Sequence, residues 1–380
     1  MSSMERPSID MFQPAYSVLK IFGIVRPTGG LRDSAMEWWN RFVLAMNVMS
    51  LVVLVSGVDF RTGNVELALE SLTFALVCSP CIYMTFVCSL WKKEIFELFD
   101  SIIVLLAEIE DAFGLEAVKQ MQRECANVMW AHLALLSISI PPPFAIAYYN
   151  YYIGGVKDAA PYNIYTLFGR KENIHTNCFW QFCTFIGPVA GVVANRIVMA
   201  SLAIASSGII EKTRLRFEMI SDGNKTYLLP QAVKWHSGVI RFVKESNSIL
   251  GSSFTVEFLF SNTYICNACF MLSKFGSQDD TVFYKSLAMV IGFSSLPIYF
   301  CMSGHKIASE SDKLYTSIYQ NYWYRLHPTD RKDMILPMMM AKAGISWNYK
   351  KIGQFDMRTY LFIVKQSYSF YALLRLVDSG

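Results

Sequence analysis

LALESLTFALVCSPCIYMTFVCSLW, residues 67–91, holds one charged side chain, Glu70, in twenty-five positions. A helix needs about 20 largely apolar residues to cross the hydrocarbon core of a bilayer, and this stretch meets that length. Six further runs lie at 39–58, 128–152, 177–205, 248–272, 282–304 and 355–376, so seven membrane spans are predicted. Those at 39–58, 248–272 and 282–304 are as plain as the first. Pro141, Pro142 and Pro143 remove backbone donors in the third and should kink or widen it. Gly187, Pro188 and Gly191 interrupt the fourth, and Lys365, Gln366 and several hydroxyls make the seventh the weakest. The composition agrees: 53% hydrophobic, 14% aromatic and 17% charged. Soluble domains carry about 25% charged residues, and here the deficit is concentrated in the long apolar blocks.

Lys and Arg set the orientation, because cytosolic loops carry the excess. Residues 1–41, 92–127, 211–244 and 305–358 carry five, four, seven and nine of them, whereas the opposite side holds seven, Lys285 among them. The N-terminus is therefore expected in the cytosol and, with seven spans, the C-terminus outside. This opposes the orientation of G-protein-coupled receptors. Their D/E-R-Y and N-P-x-x-Y motifs are also missing, and the only N-x-S/T sequon, at Asn224, falls on the cytosolic side. A net charge of +4 without a basic cluster gives no case for nucleic acid.

The predicted organisation follows. Residues 1–38 form a cytosolic N-terminal segment; with Arg6, Lys20, Arg26 and Arg32 spread through it, no cleavable signal peptide is expected. Residues 39–304 hold spans one to six, with the fourth and fifth extended into the cytosol near 205–245. Residues 305–354 form cytosolic helices. The first continues the sixth span through an apolar stripe of Leu314, Tyr315, Ile318 and Tyr322. The second is capped by Thr329 or Asp330 and runs through Met334 and Met338 to Ala343. Residues 355–380 hold the seventh span.

Nine cysteines include Cys78 with Cys81 and Cys266 with Cys269, each pair inside an apolar run. No histidine lies near either pair, and zinc needs four ligands in reach, so packed, reduced thiols are expected, with no metal or cofactor. No G-x-S-x-G, H-E-x-x-H, phosphate-cradling glycine loop or paired carboxylates with a nearby histidine occur, so an enzyme is not expected. Glu257 in the fifth span and Arg196 in the fourth are the notable charges within spans. Glu257 either faces a water-filled path or pairs with a polar neighbour, and Arg196 either acts functionally or snorkels toward the inner headgroups.

Aromatic residues crowd the outer halves of spans two to four: Phe144, Tyr148, Tyr149 and Tyr152 at the end of the third, and Phe179, Trp180, Phe182 and Phe185 at the start of the fourth. Interfacial belts explain part of this. Running about two turns deep beside the proline break, they also suit an apolar pocket for a small, weakly polar ligand. Leu72, Phe74, Val189 and Leu287 complete the candidate binding set. The seventh span, FDMRTYLFIVKQSYSFYALLRLVDSG, mixes an apolar stripe with Lys365, Gln366, Ser367, Tyr368 and Ser369. Such a helix either lines a wet axis between subunits or is buried in a single-chain bundle.

This last stretch resembles the insect odorant receptor family, whose final span typically reads as an apolar run, a K-x-S-Y-S-like core, aromatics and L-L. Lys365, Ser367, Tyr368, Ser369, Phe370, Leu373 and Leu374 stand in those places. It also resembles the gustatory signature TYhhhhhQF, where h is hydrophobic. Thr359, Tyr360 and Gln366 match, but Lys365 breaks the run and Ser367 replaces the final Phe. The resemblance implies a ligand-gated, poorly selective cation channel of four subunits in the plasma membrane of olfactory neuron dendrites. It implies an odour-tuned subunit partnered by a shared co-receptor, since the segment between spans four and five is short. The cytosolic helices would then contact other subunits, and the ligand, a small volatile, would bind between spans two, three, four and six. Gln366, Tyr368, Tyr371, Leu374 and Arg375 would face the pore. Tyr371 and Arg375 depart from the small aliphatics of a tight hydrophobic gate, which agrees with an obligate heteromer. A gustatory receptor is the alternative within the superfamily. A transporter is a further alternative, although no internal repeat of the kind such proteins show is visible.

Overall fold

The computed structural model describes residues 11–26, 31–56, 58, 65–139, 141–156, 159–162, 173–220, 225–275, 280–321, 323–349 and 353–379. Asn224 and Tyr322 lie outside them. Eleven α-helices are formed by the described residues: α1 Gln13–Ile21, α2 Leu31–Ser56, α3 Val65–Leu90, α4 Lys92–Phe113, α5 Leu115–Ser139, α6 Pro141–Tyr152, α7 Ile174–Glu218, α8 Lys225–Phe275, α9 Asp280–Gln320, α10 Pro328–Lys342 and α11 Met357–Ser379. The class is all-α, and the seven predicted spans fall on α2, α3, α5 with α6, α7, α8, α9 and α11.

Four of these helices, α2, α3, α7 and α9, are long and apolar enough to cross a membrane on composition. On α2 the side chains Trp38, Phe42, Met46, Met49, Val52 and Val55 recur every three to four residues and are all exposed, as a lipid-facing helix requires. The fifth span, α8, falls short of that standard although the sequence makes it look plain. One of its polar side chains bonds inside the bundle: Asn267 Nδ2 donates to the Leu69 carbonyl at 2.9 Å and to Thr73 Oγ1 at 2.5 Å, joining α8 to α3. Such bonds hold membrane helices together where no hydrophobic drive acts between them.

Helix α7 spans 45 residues and α8 spans 51. At about 1.5 Å per residue each far exceeds a hydrocarbon core of roughly 30 Å, so both run unbroken into an extra-membrane layer. Helix α4, which the sequence reading passed over as a basic segment, completes that layer. Its buried residues Ile95, Phe96, Leu98, Phe99, Ile102, Leu105, Leu106 and Ile109 recur at helical spacing. They belong to one core with Phe217 of α7 and Trp235, Val239 and Phe242 of α8. Trp235 Nε1 donates to Glu108 Oε2 at 3.0 Å, so this buried indole is also satisfied. In the same layer burial pushes His236 down to about 4, leaving it a neutral core ring.

Helix α5 is described to Ser139 and α6 from Pro141, and Ile140 between them lies outside the described residues. Pro328 occupies the first turn of α10, where a missing N–H costs nothing because first-turn donors have no helical partner, with His327 at the cap position making no side-chain bond. This corrects the expectation that Thr329 or Asp330 caps it. Between α10 and α11 lies a two-residue antiparallel ladder, β1 Asn348–Tyr349 and β2 Gly353–Gln354, pairing Asn348 with Gln354. Asn247 clamps it by donating to the Ser346 carbonyl at 3.0 Å and accepting from the Asn348 N–H at 3.1 Å.

The same junction seats Phe355 among Phe254, Phe300 and Trp347. It approaches α9 so closely that a Cβ on Gly304 would sit 2.1 Å from the Phe355 carbonyl oxygen. Gly304→Ala therefore forces backbone to move. Overpacking of this kind costs about 1–3 kcal/mol, and a drop of several degrees in the melting temperature of detergent-solubilised protein is expected. An unchanged melting temperature would show that α9 and the junction do not meet this tightly.

Candidate functional site

A cavity of about 350 Å³ lies among α3, α6, α7 and α9, at the small end of the range typical for ligand sites. Phe74 is its hub, with ring centroids 4.7 Å from Tyr162, 4.7 Å from Phe185 and 5.7 Å from Phe293. Tyr162 comes from the connection between α6 and α7, and two amides one turn apart on α7 hold it in place. Gln181 accepts from the Tyr162 N–H at 3.1 Å and donates to its carbonyl at 2.8 Å, while Asn177 donates to the Ala159 carbonyl at 2.9 Å. Burial, with the Glu70 carboxylate nearby, pushes the Tyr162 phenol up, so it stays neutral.

Of the candidate binding residues, Phe74, Phe144, Phe182, Phe185 and Val189 line this cavity. Leu72, Tyr148, Tyr149, Tyr152, Trp180 and Leu287 do not. Leu72 and Trp180 sit two positions from lining residues, about 200° around their helices, and the Trp180 ring meets Phe179 at 5.4 Å. Leu287 precedes the lining residue Ala288 by one position and lies on a neighbouring face. Tyr148 and Tyr152 stack at 6.3 Å and hydrogen bond to the two ring nitrogens of His175, at 3.2 and 3.4 Å. Tyr149 is 60% exposed. The sequence reading missed Tyr162 and most of the α9 wall. On α9 the lining residues Lys285, Ala288, Met289, Gly292, Phe293 and Leu296 follow helical spacing, a signal that periodicity alone contains but that aromatic content does not.

Lys285, counted from sequence among the outer charges, is buried beside the cavity. Its ammonium lies 3.0 Å from Glu70 Oε1 and 4.0 Å from Glu66 Oε1. Arg196 does not snorkel. It pairs with Glu257 at 2.9 Å, both residues being only 4% exposed. Its guanidinium stands 4.0 Å over the Phe300 ring, and the Tyr264 hydroxyl donates to Glu257 Oε1 at 3.3 Å. Of the two readings for Glu257, the structure selects the polar neighbour.

Helix α11 packs on α8 and α9 and leaves one long face open. Tyr368 is 69% exposed, Leu374 and Arg375 are exposed, and Gln366 is half-buried. Tyr371, placed from sequence with the pore set, turns back to the chain's own bundle. Its hydroxyl donates to Ser273 Oγ at 3.0 Å, and its ring packs beside Leu69, Phe270 and Met271. Ser367 is buried and donates to the Asn262 carbonyl at 3.1 Å. All nine cysteines are free, and no metal-ligating cluster occurs among the described residues.

An all-α bundle with long apolar helices around an aromatic cavity has the build of a ligand-binding membrane protein. The family model described as 7tm Odorant receptor matches residues 64–368, and the chain belongs to the insect odorant receptor family. It is 21% identical to odorant receptor 47b of Drosophila melanogaster, over 89% of this chain and 84% of that one. It is 24% identical to odorant receptor 85c of the same species, over 93% and 95%. The fold matches the olfactory receptor OR5 of Machilis hrabei in complex with eugenol, with a TM-score of 0.81, 12% identity and coverage of 97% and 99%. Another structure of OR5 matches with a TM-score of 0.74 and 10% identity over 96% and 97%.

Proposed function

We propose that this chain is the odour-tuned subunit of a heteromeric, ligand-gated, non-selective cation channel, opened by a small volatile held in the cavity around Phe74. The observation that carries this reading is the link of both cavity walls to α11, the α9 wall directly and α3 through a shared small core. The Tyr360 hydroxyl of α11 donates to the Ser294 carbonyl at 3.4 Å, between the lining residues Phe293 and Ser295. Leu69 of α3, just over one turn before Phe74, belongs to the small core with Phe270 and Met271 against which Tyr371 packs. A ligand that changes the spacing of α3 and α9 thus acts on the helix whose open face carries Tyr368, Leu374 and Arg375. Only contacts that differ between closed and open states gate, so the cavity must fit the ligand better when α11 has moved.

In this reading the N-terminus is cytosolic and the C-terminus extracellular, and the protein sits in the plasma membrane of olfactory neuron dendrites. Segment 1–38 is the cytosolic N-terminal piece, 39–304 holds spans one to six, 305–354 the helices that contact other subunits, and 355–380 the pore-lining helix. The complex of OR5 with eugenol supports a small organic ligand. Burying about 150–250 Å² at roughly 25 cal/mol per Å² gives about 4–6 kcal/mol before costs, so micromolar affinity is expected. The test is whole-cell current in cells expressing this chain alone and with an insect odorant co-receptor, against small aromatic and ester volatiles. Odour-evoked cation current only on co-expression is the expected result. Silence across the panel, with the chain confirmed at the cell surface, would overturn it.

A further inference from the structure

One charged side chain lines the cavity. Lys285 is 8% exposed, and its Nζ lies 3.0 and 3.1 Å from the two carboxylate oxygens of fully buried Glu70. The remaining lining is almost wholly apolar or aromatic. An ammonium carries three donors. Glu70 and Glu66 approach it one turn apart from a single helix, α3, which leaves donor capacity for a group inside the cavity. The charge of Lys285 is already met by those carboxylates. An incoming carboxylate would face them across a low-dielectric space, where repulsion is strong. A neutral oxygen accepts a charge-assisted hydrogen bond without bringing a charge to desolvate. A hydrocarbon of the same shape leaves the donor unused.

We infer that Lys285, held by Glu70, is the polar anchor of the cavity, and that it selects neutral ligands bearing a carbonyl or ester oxygen over hydrocarbons and carboxylates of matching shape. The inference rests on the cavity being the odour site. It also gives the buried Lys285–Glu70 pair a role that membrane insertion does not, since charged side chains within spans are costly and usually functional.

The test compares shape-matched probes on the chain co-expressed with a co-receptor. Acetophenone and α-methylstyrene differ only in a C=O replaced by C=CH2, benzaldehyde and styrene form a second such pair, and benzoate supplies the anion. The oxygen-bearing member of each pair is expected to activate at a concentration lower by about tenfold or more, equivalent to about 1.4 kcal/mol, with benzoate weaker than acetophenone. In Lys285→Met combined with Glu70→Leu, which removes both charges, the pairwise preference should collapse to about one. The paired amides of Lys285→Gln with Glu70→Gln serve if the apolar pair does not reach the surface, and should lower the preference. Preference surviving either double variant, equal potency within the pairs, or benzoate acting best would each overturn the role of Lys285 while leaving the odour reading intact. Silence to every volatile in the wider panel would instead remove the odour reading and this inference with it.

Discussion

Glu257→Leu is expected to abolish surface expression, because it strands the Arg196 guanidinium between α7, α8 and α9 with no counter-charge. Breaking a buried ion pair by removing one partner costs about 3–5 kcal/mol, a large part of the stability of an ordinary domain. The Phe300 ring at 4.0 Å and the wholly buried site leave Arg196 no route to water. Arg196→Met should be comparably damaging, since it leaves the carboxylate with the Tyr264 hydroxyl alone. The double variant, Arg196→Met with Glu257→Leu, should recover most of the loss, because apolar groups of similar size often replace a buried pair without penalty. Surface biotinylation and thermal melting in detergent read all three. Wild-type behaviour of either single variant, or a double variant no better than the singles, would mean that the two charges are not coupled.

Ala288→Phe is expected to give the largest functional change without loss of folding. Ala288 is half-buried and lines the void, so a phenyl ring there enters empty space and occupies much of the 350 Å³. Overpacking penalties belong to filled cores. The variant should reach the surface normally while odour-evoked current falls by at least about tenfold in sensitivity across the panel, a loss of about 1.4 kcal/mol or more of ligand binding. Two further substitutions sharpen the map. Phe182→Ala, on the lining, should shift potency, whereas Tyr149→Ala, outside it and 60% exposed, should not. Sensitivity that survives Ala288→Phe but is lost in Tyr149→Ala would move the ligand out of this cavity and onto the outer surface.

The contrast between Phe182 and Tyr149 shows how far residue type carries a site. Aromatic density beside the proline run supplied Phe144, Phe182 and Phe185 of the cavity lining, because large rings bury much apolar area. It could not separate the rings that face inward from those that face lipid or a neighbour such as His175. That choice is a matter of helix rotation. The α9 wall was missed for the complementary reason: Ala288 and Gly292 contribute to the cavity by being small, and a small residue advertises nothing on its own.

The seven apolar runs and the basic bias of alternate segments were in the amino-acid sequence, as was the K-x-S-Y-S-like terminal motif. They follow from one-dimensional facts, since a bilayer imposes a length on each span and has no water to satisfy a broken backbone. The tertiary structure alone decided the fate of the charges within those runs. Arg196 and Glu257 are 61 positions apart, and Lys285 and Glu70 are 215 apart. A charge in an apolar helix is a liability or an anchor depending on what a different helix brings to it, and the register of one helix against another is set by packing that no single segment encodes.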